Sequence, residues 1–179
     1  LMDEAATEAA YALADTADQF VAGLYTGVDA GNAISTTSIT SAALAVTGLI
    51  NLKIKLDVAN VPTEGRYVVV TPWYHGLLLG SDLFVRADAS GDANTLRNGM
   101  VGRAFGFDVL VSNNCVNVTG DDWIIQAGYP GAITFAEQIA KVEAYRPESS
   151  FSDALKGLHL YGAKLLRPTG IATLTASIT

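Results

Sequence analysis

Basic residues are missing from the first 52 positions, which carry Asp3, Glu4, Glu8, Asp15, Asp18 and Asp29; the first lysine or arginine is Lys53. Beyond that point twelve acids stand against eleven bases, for a net charge of −7. No segment gathers lysine and arginine, so a nucleic-acid groove built on phosphate contacts is excluded. The acidic start reads either as a face that repels nucleic acid or as an ordinary solvated helix face. Cysteine is nearly absent as well. A lone Cys115 forbids an intramolecular disulfide and fits a reducing compartment. Long apolar runs are also lacking: none approaches the roughly 18 residues of a membrane span. The N-terminus is acidic where a secretory leader would be basic, so no membrane partner is expected. Histidine occurs only at His75 and His159.

Charge of either sign is scarce. Only 16% of the residues are charged, against about 25% in an ordinary soluble domain. Apolar residues make up 50% of the 179 positions, and the mean hydropathy is +0.29. A chain of this length buries one good core or two small lobes. This composition suits a subunit that hides surface against copies of itself; a monomeric enzyme with an Ala- and Val-rich core is the alternative. The chain opens at Leu1 in the middle of a pattern, which leads us to expect a piece of a longer protein.

Residues 2–25 read as one long helix. Met2, Ala6, Ala9, Leu13, Ala17, Phe20 and Leu24 recur at spacings of three and four, and the acids fall off that stripe. Gly27 and Gly31 break the pattern around a short polar segment. A second helix is expected from about Ser41 to Asn51, capped by Ser38 or Thr40 and weakened by Gly48. A strand at 66–71 follows, then a short helix over Trp73–Gly80 with Trp73, Leu77 and Leu78 inward. After a polar loop at Asp88–Asp92, Thr95–Phe105 has the pattern of an amphipathic helix. Phe107–Ser112 reads as a strand. Trp123–Ala127 and Ala132–Phe135 read as a hairpin around Tyr129-Pro130-Gly131. Strands are then expected at Gln138–Tyr145, Gly157–Tyr161, Lys164–Leu166 and Ile171–Ala176, with a turn at Arg146-Pro147. Helices early and strands late make an α+β fold.

The chemistry-bearing residues do not assemble into a motif. Cys115 has no local partner that links it to His75 or His159, and these three are too few for a metal site. Asp88, Ser90 and Asp92 have the spacing of a calcium loop, but Ala93 stands where that loop needs glycine and Gly99 where it needs glutamate. Adjacent Asp121 and Asp122 could act as general acid and base, or merely end a strand. Gly99, Gly102 and Gly106 do not have the G-x-G-x-x-G spacing that cradles phosphate. Asn117-Val118-Thr119 is a sequon without a secretory signal. No catalytic, cofactor-binding or metal-binding residue is therefore assigned; a small cytosolic hydrolase using Cys115 or Asp121 and Asp122 remains as the reading from another class.

The most informative stretch is Asn60-Val61-Pro62-Thr63-Glu64-Gly65-Arg66-Tyr67-Val68-Val69-Val70-Thr71-Pro72. Pro62 fixes φ, Gly65 permits the positive φ of a tight turn, Tyr67–Val70 has strand character, and Pro72 cannot continue a ladder. A near-continuous apolar run implies burial on both faces of that strand. This turn, strand and proline, followed by Leu77-Leu78-Leu79, resembles the central region of tailed-bacteriophage major capsid proteins. Gly99-Met100-Val101-Gly102-Arg103-Ala104-Phe105-Gly106-Phe107 through Ser112-Asn113-Asn114 is similar to a second segment of that family. Tyr145-Arg146-Pro147-Glu148 through Phe151, Gly157-Leu158, Tyr161-Gly162-Ala163-Lys164 and Arg167-Pro168 resembles its C-terminal region.

The resemblance implies a P-domain with a long spine helix, here residues 1–30 with returning strands at 132–160, and an A-domain at 31–131 and 161–179. The family's N-terminal arm and extended loop have no counterpart in these residues. It further implies a structural role without catalysis: self-assembly into an icosahedral phage head in the virion, built in the host cytoplasm. The implied partners are copies of the chain in pentamers and hexamers, scaffolding and portal proteins, and packaged DNA bound without sequence specificity. Encapsulins share the fold, so a cargo-holding compartment is the second reading. By analogy with the P-domain tip, Glu143, Arg146, Pro147 and Glu148 are the expected subunit-interface residues.

Overall fold

A computed structural model describes residues 2–81, 102–148 and 154–179. The chain runs α1 (Met2–Ala22), β1 (Ala33–Ser38), α2 (Ala42–Val58), β2 (Tyr67–Val70), α3 (Pro72–Leu79), β3 (Arg103–Ala104), β4 (Phe107–Val111), β5 (Asn117–Thr119), β6 (Asp122–Gly128), β7 (Ile133–Tyr145), β8 (Ala154–Leu165) and β9 (Ile171–Ser177). It is an α+β fold with two sheets among the described residues. The larger has the order β1-β9-β6-β2-β4-β3, with β5 paired to β6; the smaller is the β7–β8 hairpin.

The core lies on one face of the larger sheet. The β strands place alternate side chains on each face, so Val68, Val70, Ile125, Ala127, Ala172, Leu174 and Ala176 all point the same way. Ala45, Leu49, Leu52 and Leu56 of α2, with Tyr74 and Leu78 of α3, close over them. Each such large side chain contributes about 1.5–3 kcal/mol when fully buried. Helix α2 runs two turns beyond the expected Asn51 because Leu52 and Leu56 continue its buried row. Its cap is Ser41, whose hydroxyl accepts from Leu44 N at 3.4 Å, in place of Ser38 or Thr40. Gly48 is part of this packing: a Cβ there would meet Tyr74 Oη at 2.6 Å and Leu174 Cδ2 at 2.9 Å.

Helix α3 begins where Pro72 ends the β2 ladder. Thr71 caps it by accepting from Tyr74 N, and Pro72 takes a first-turn position where a missing N–H costs nothing. Tyr74 is its main anchor, fully buried and donating to Ala45 O at 2.6 Å. Trp73 and Leu77, expected inward, lie half-buried at the margin of the core.

The expected hairpin at residues 123–135 does not exist. β6 pairs with β9, β2 and β5 in the larger sheet, whereas β7 pairs with β8. Tyr129-Pro130-Gly131-Ala132 is instead a 3₁₀ turn that carries the chain out of one sheet into the other. Arg167-Pro168-Thr169-Gly170 makes a like turn on the way back. The two turns lie side by side. Tyr129 N donates to Gly170 O at 3.2 Å, and Leu166 N donates to Ala132 O at 2.8 Å. A Cβ on Gly170 would stand 2.8 Å from that of Ala132. Only glycine permits this neck.

Two other expectations change. The helix read over Thr95–Phe105 falls outside the described residues up to Val101, and its end, Arg103–Ala104, is strand β3. The polar loop at 88–92 lies outside the described residues altogether. The three separate strands expected between 138 and 166 are two long ones, paired from Ile133↔Leu165 to Tyr145↔Ala154 with one irregularity after Ile139.

Candidate functional site

Helix α1 is alanine-rich, without glycine or proline before Gly23, where it tightens into a 3₁₀ turn ending at Gly27. The expected helix over 2–25 is therefore α-helical to Ala22. Its last turns sit against both sheets. Phe20 meets Tyr161 of β8 edge-on with ring centroids 5.5 Å apart, and Tyr161 in turn stacks on Phe135 of β7 at 6.4 Å. Toward the larger sheet, Asn114 Nδ2 donates to Asp15 Oδ1 at 2.6 Å, and Gln126 Nε2 donates to Ala22 O at 2.6 Å. Gln126 thus ties the end of α1 to β6 of the larger sheet. Farther back the helix has no such cover: every residue from Ala10 to Ala14 is exposed, Tyr11 at 72%. The stripe is real, but at Leu13 it faces solvent in the single chain.

The turn before β2 is a clip. Asn60 (φ 52°) and Gly65 (φ 70°) take left-handed conformations that bend the chain back on itself. Arg66, 3% exposed, donates from Nε to Pro62 O at 2.7 Å, from Nη2 to Val61 O at 2.6 Å and from Nη1 to Asp57 Oδ1 at 2.6 Å. Asp57 also holds Lys53 at 2.6 Å. Hydrogen bonding from Lys53, then from Arg66, keeps its carboxyl below the ordinary 3.8. The residues that looked most distinctive in the sequence therefore fasten the end of α2 to the start of β2.

The residues considered for catalysis stand apart. Cys115 is buried in the loop after β4, and burial pushes its thiol up to about 11, so it is no ready nucleophile. The surrounding wall includes Asp18, Ser112, Asn114 and Gln126 and no histidine. His75 is half-buried on α3. His159 lies on β8, its Nε2 3.4 Å from Glu137 Oε2 and its ring 5.1 Å from that of Tyr161. Asp121 is exposed in the β5–β6 turn, and Asp122 opens β6. Among the described residues no cluster of three metal-ligating side chains occurs. At the hairpin's far end, Arg146 and Glu148 are exposed and Pro147 is half-buried. Glu143 lies three residues before Arg146 within β7.

What the described surface does carry is a set of uncovered apolar side chains. They include Ile50, Ile54 and Val58 along the outer side of α2, Leu110, Val111 and Val118 on the sheet, and Phe135 and Leu160 on the hairpin. Val58 is 76% exposed. The spacing of Leu44, Thr47, Leu49 and Ile50 gives α2 no clean face, because the helix is apolar nearly all round: Leu49 is buried, whereas Leu44, Thr47 and Ile50 are exposed. Such a helix is normally covered on both sides.

The chain thus combines a helix-covered mixed sheet, a long hairpin and a helix laid at their junction, and known shell proteins share this architecture. The family model described as phage capsid protein matches residues 1–174. A solved chain of Mycobacterium phage Che8 is 38% identical with a TM-score of 0.81, over 96% of this chain and 62% of that one. The capsid of Cyanophage P-SCSP1u gives a TM-score of 0.75 at 19% identity, over 100% of this chain and 67% of that one. An encapsulin complex from Synechococcus elongatus gives 0.55 at 12% identity, over 87% and 57%. No curated protein sequence matches. The chain belongs to the phage capsid protein family, and it spans less than two thirds of the Che8 chain's length.

Proposed function

We propose that the protein containing this chain is the major capsid protein of a tailed phage, a structural subunit that closes an icosahedral head around the genome. The observation that carries this reading is the family match over residues 1–174. The uncovered apolar faces of α1 and α2 support it, since a repeated head-to-tail contact closes rings and rings close a container. Many weak contacts acting together hold such a shell.

In this reading α1 and the β7–β8 hairpin form the P-domain, and the larger sheet with α2 and α3 forms the A-domain. Residues 161–165 pair in the hairpin ladder, so the proposed boundary falls after Leu165. Glu143, Arg146, Pro147 and Glu148, at the hairpin's far end, are the proposed contact near threefold axes. The partners are further copies in pentamers and hexamers, scaffolding and portal proteins, and DNA along the inner wall. The proposed location is the virion, after assembly in the host cytoplasm.

The role is structural, without catalysis. The buried, protonated thiol of Cys115 argues against the hydrolase reading. The encapsulin reading has weaker support, at 12% identity. Sedimentation of the full-length protein separates these outcomes. Fast-sedimenting closed particles support the proposal, and particles that co-purify a defined protein cargo favour the encapsulin reading. A species that stays small with or without its scaffolding protein contradicts both.

A further inference from the structure

A cavity of about 270 Å³ lies where the last turns of α1 meet the larger sheet. Val21 and Ala22 line it from the helix, Val69, Leu110 and Ile124 from the sheet, and Ile133 from the start of β7. The wall is mainly apolar and partly open to solvent. An apolar cavity of roughly 150 Å³ takes one benzene, so this one has room for a fused bicyclic ring. Asp18 is the one charged residue in its lining, and among the described residues no hydrogen bond or ion pair engages its carboxylate. Such a carboxylate accepts hydrogen bonds and repels anions.

The geometry points to a binding site for a small bicyclic aromatic molecule that carries an N–H or O–H donor and no negative charge. The ring contacts Val21, Val69 and Ile124, and the donor serves Asp18. The site lies at the junction of α1 with both sheets, as ligand pockets often do. An occupant there braces the helix against the sheet beside the Asn114–Asp15 and Gln126–Ala22 hydrogen bonds. This inference concerns the cavity alone and does not depend on shell assembly.

Cys115 forms part of the wall and reports on occupancy. The full-length protein is treated with excess N-ethylmaleimide for long enough that the slow-reacting Cys115 thiol is measurably modified without a probe. Modification of the Cys115 peptide is then followed by mass spectrometry, with indole or indole-3-carboxylate as the probe. Indole at ten times its Kd should slow modification about tenfold, in line with the fraction of unoccupied sites. Indole-3-carboxylate should have little effect on the native protein and should protect Cys115 in Asp18→Asn. Because Asp18 is exposed, that variant keeps its fold. Val69→Phe fills the cavity and should abolish the response to indole; if it does not fold, the Asp18→Asn result decides. The proposal is overturned if indole leaves the native rate unchanged, as it would if chain outside residues 1–179 fills the cavity. Equal protection of folded Val69→Phe, or no change of probe preference in Asp18→Asn, overturns it too.

Discussion

Arg66 shows how a single side chain can account for a segment that looks like a signature. Its guanidinium satisfies two carbonyls and one carboxylate from a nearly closed position. Arg66→Ala leaves Val61 O and Pro62 O without their donors, at about 1–3 kcal/mol for each group that stays buried. We expect a Tm loss of several degrees, measured by thermal unfolding, and only partial recovery with lysine, which lacks the planar fork. Asp57 adds a pH dependence. Its folded pKa is lowered, so its stabilisation is complete above the unfolded value and is lost as pH falls through the folded one. Stability should therefore drop on acidification from roughly pH 5 toward pH 3, and Asp57→Asn should flatten that part of the profile. Gly48 makes the opposite point about propensity. Alanine there gains about 1 kcal/mol of helix propensity, yet its methyl group collides with Tyr74 Oη and Leu174. Overpacking of this kind costs about 1–3 kcal/mol, so Gly48→Ala should lower the denaturant midpoint.

At the scale of elements, β2 corrects a simple reading of apolar runs. Val68 and Val70 are fully buried beneath the helices, whereas Tyr67 and Val69 are half-buried on the opposite face. Val68→Asp should abolish soluble folding, because an unpaired buried charge costs several kcal/mol. Val69→Asp, toward the cavity, should be the milder of the two; equal melting temperatures for both variants would contradict the two-faced description. Local signals made α1, β2, α3, β4 and β9 legible: apolar spacing, Pro72 after a β-branched run, and Gly106 before Phe107. Pairing was not legible. Nothing between Trp123 and Phe135 shows that β6 belongs with β9, some 50 residues later, so a proline–glycine turn read as a hairpin. Strand β1 escaped notice because Ala33–Ser38 sits at the sheet edge with mostly exposed side chains and no apolar alternation. The Asn114–Asp15 and Gln126–Ala22 ties were hidden for the same reason, since each joins positions about a hundred residues apart.

For the whole molecule, low charge and abundant apolar surface become intelligible once the chain is one unit of many. The exposed residues of α1 from Ala10 to Ala14 and the outer side of α2 are costly on a monomer and useful in a shell. Charges at an interface rim set register more than affinity. Arg146→Glu at the hairpin's end should therefore leave the subunit folded and reduce particle yield from the full-length protein; normal yield would remove Arg146 from the proposed interface. The most direct test of the account is cryo-electron microscopy of the full-length protein, expressed alone and together with the proposed scaffolding protein. The account predicts closed icosahedral particles, with the outer side of α2 and the exposed stretch of α1 covered by neighbouring subunits. Discrete small oligomers in both preparations, or a shell in which both surfaces stay open to solvent, would contradict it.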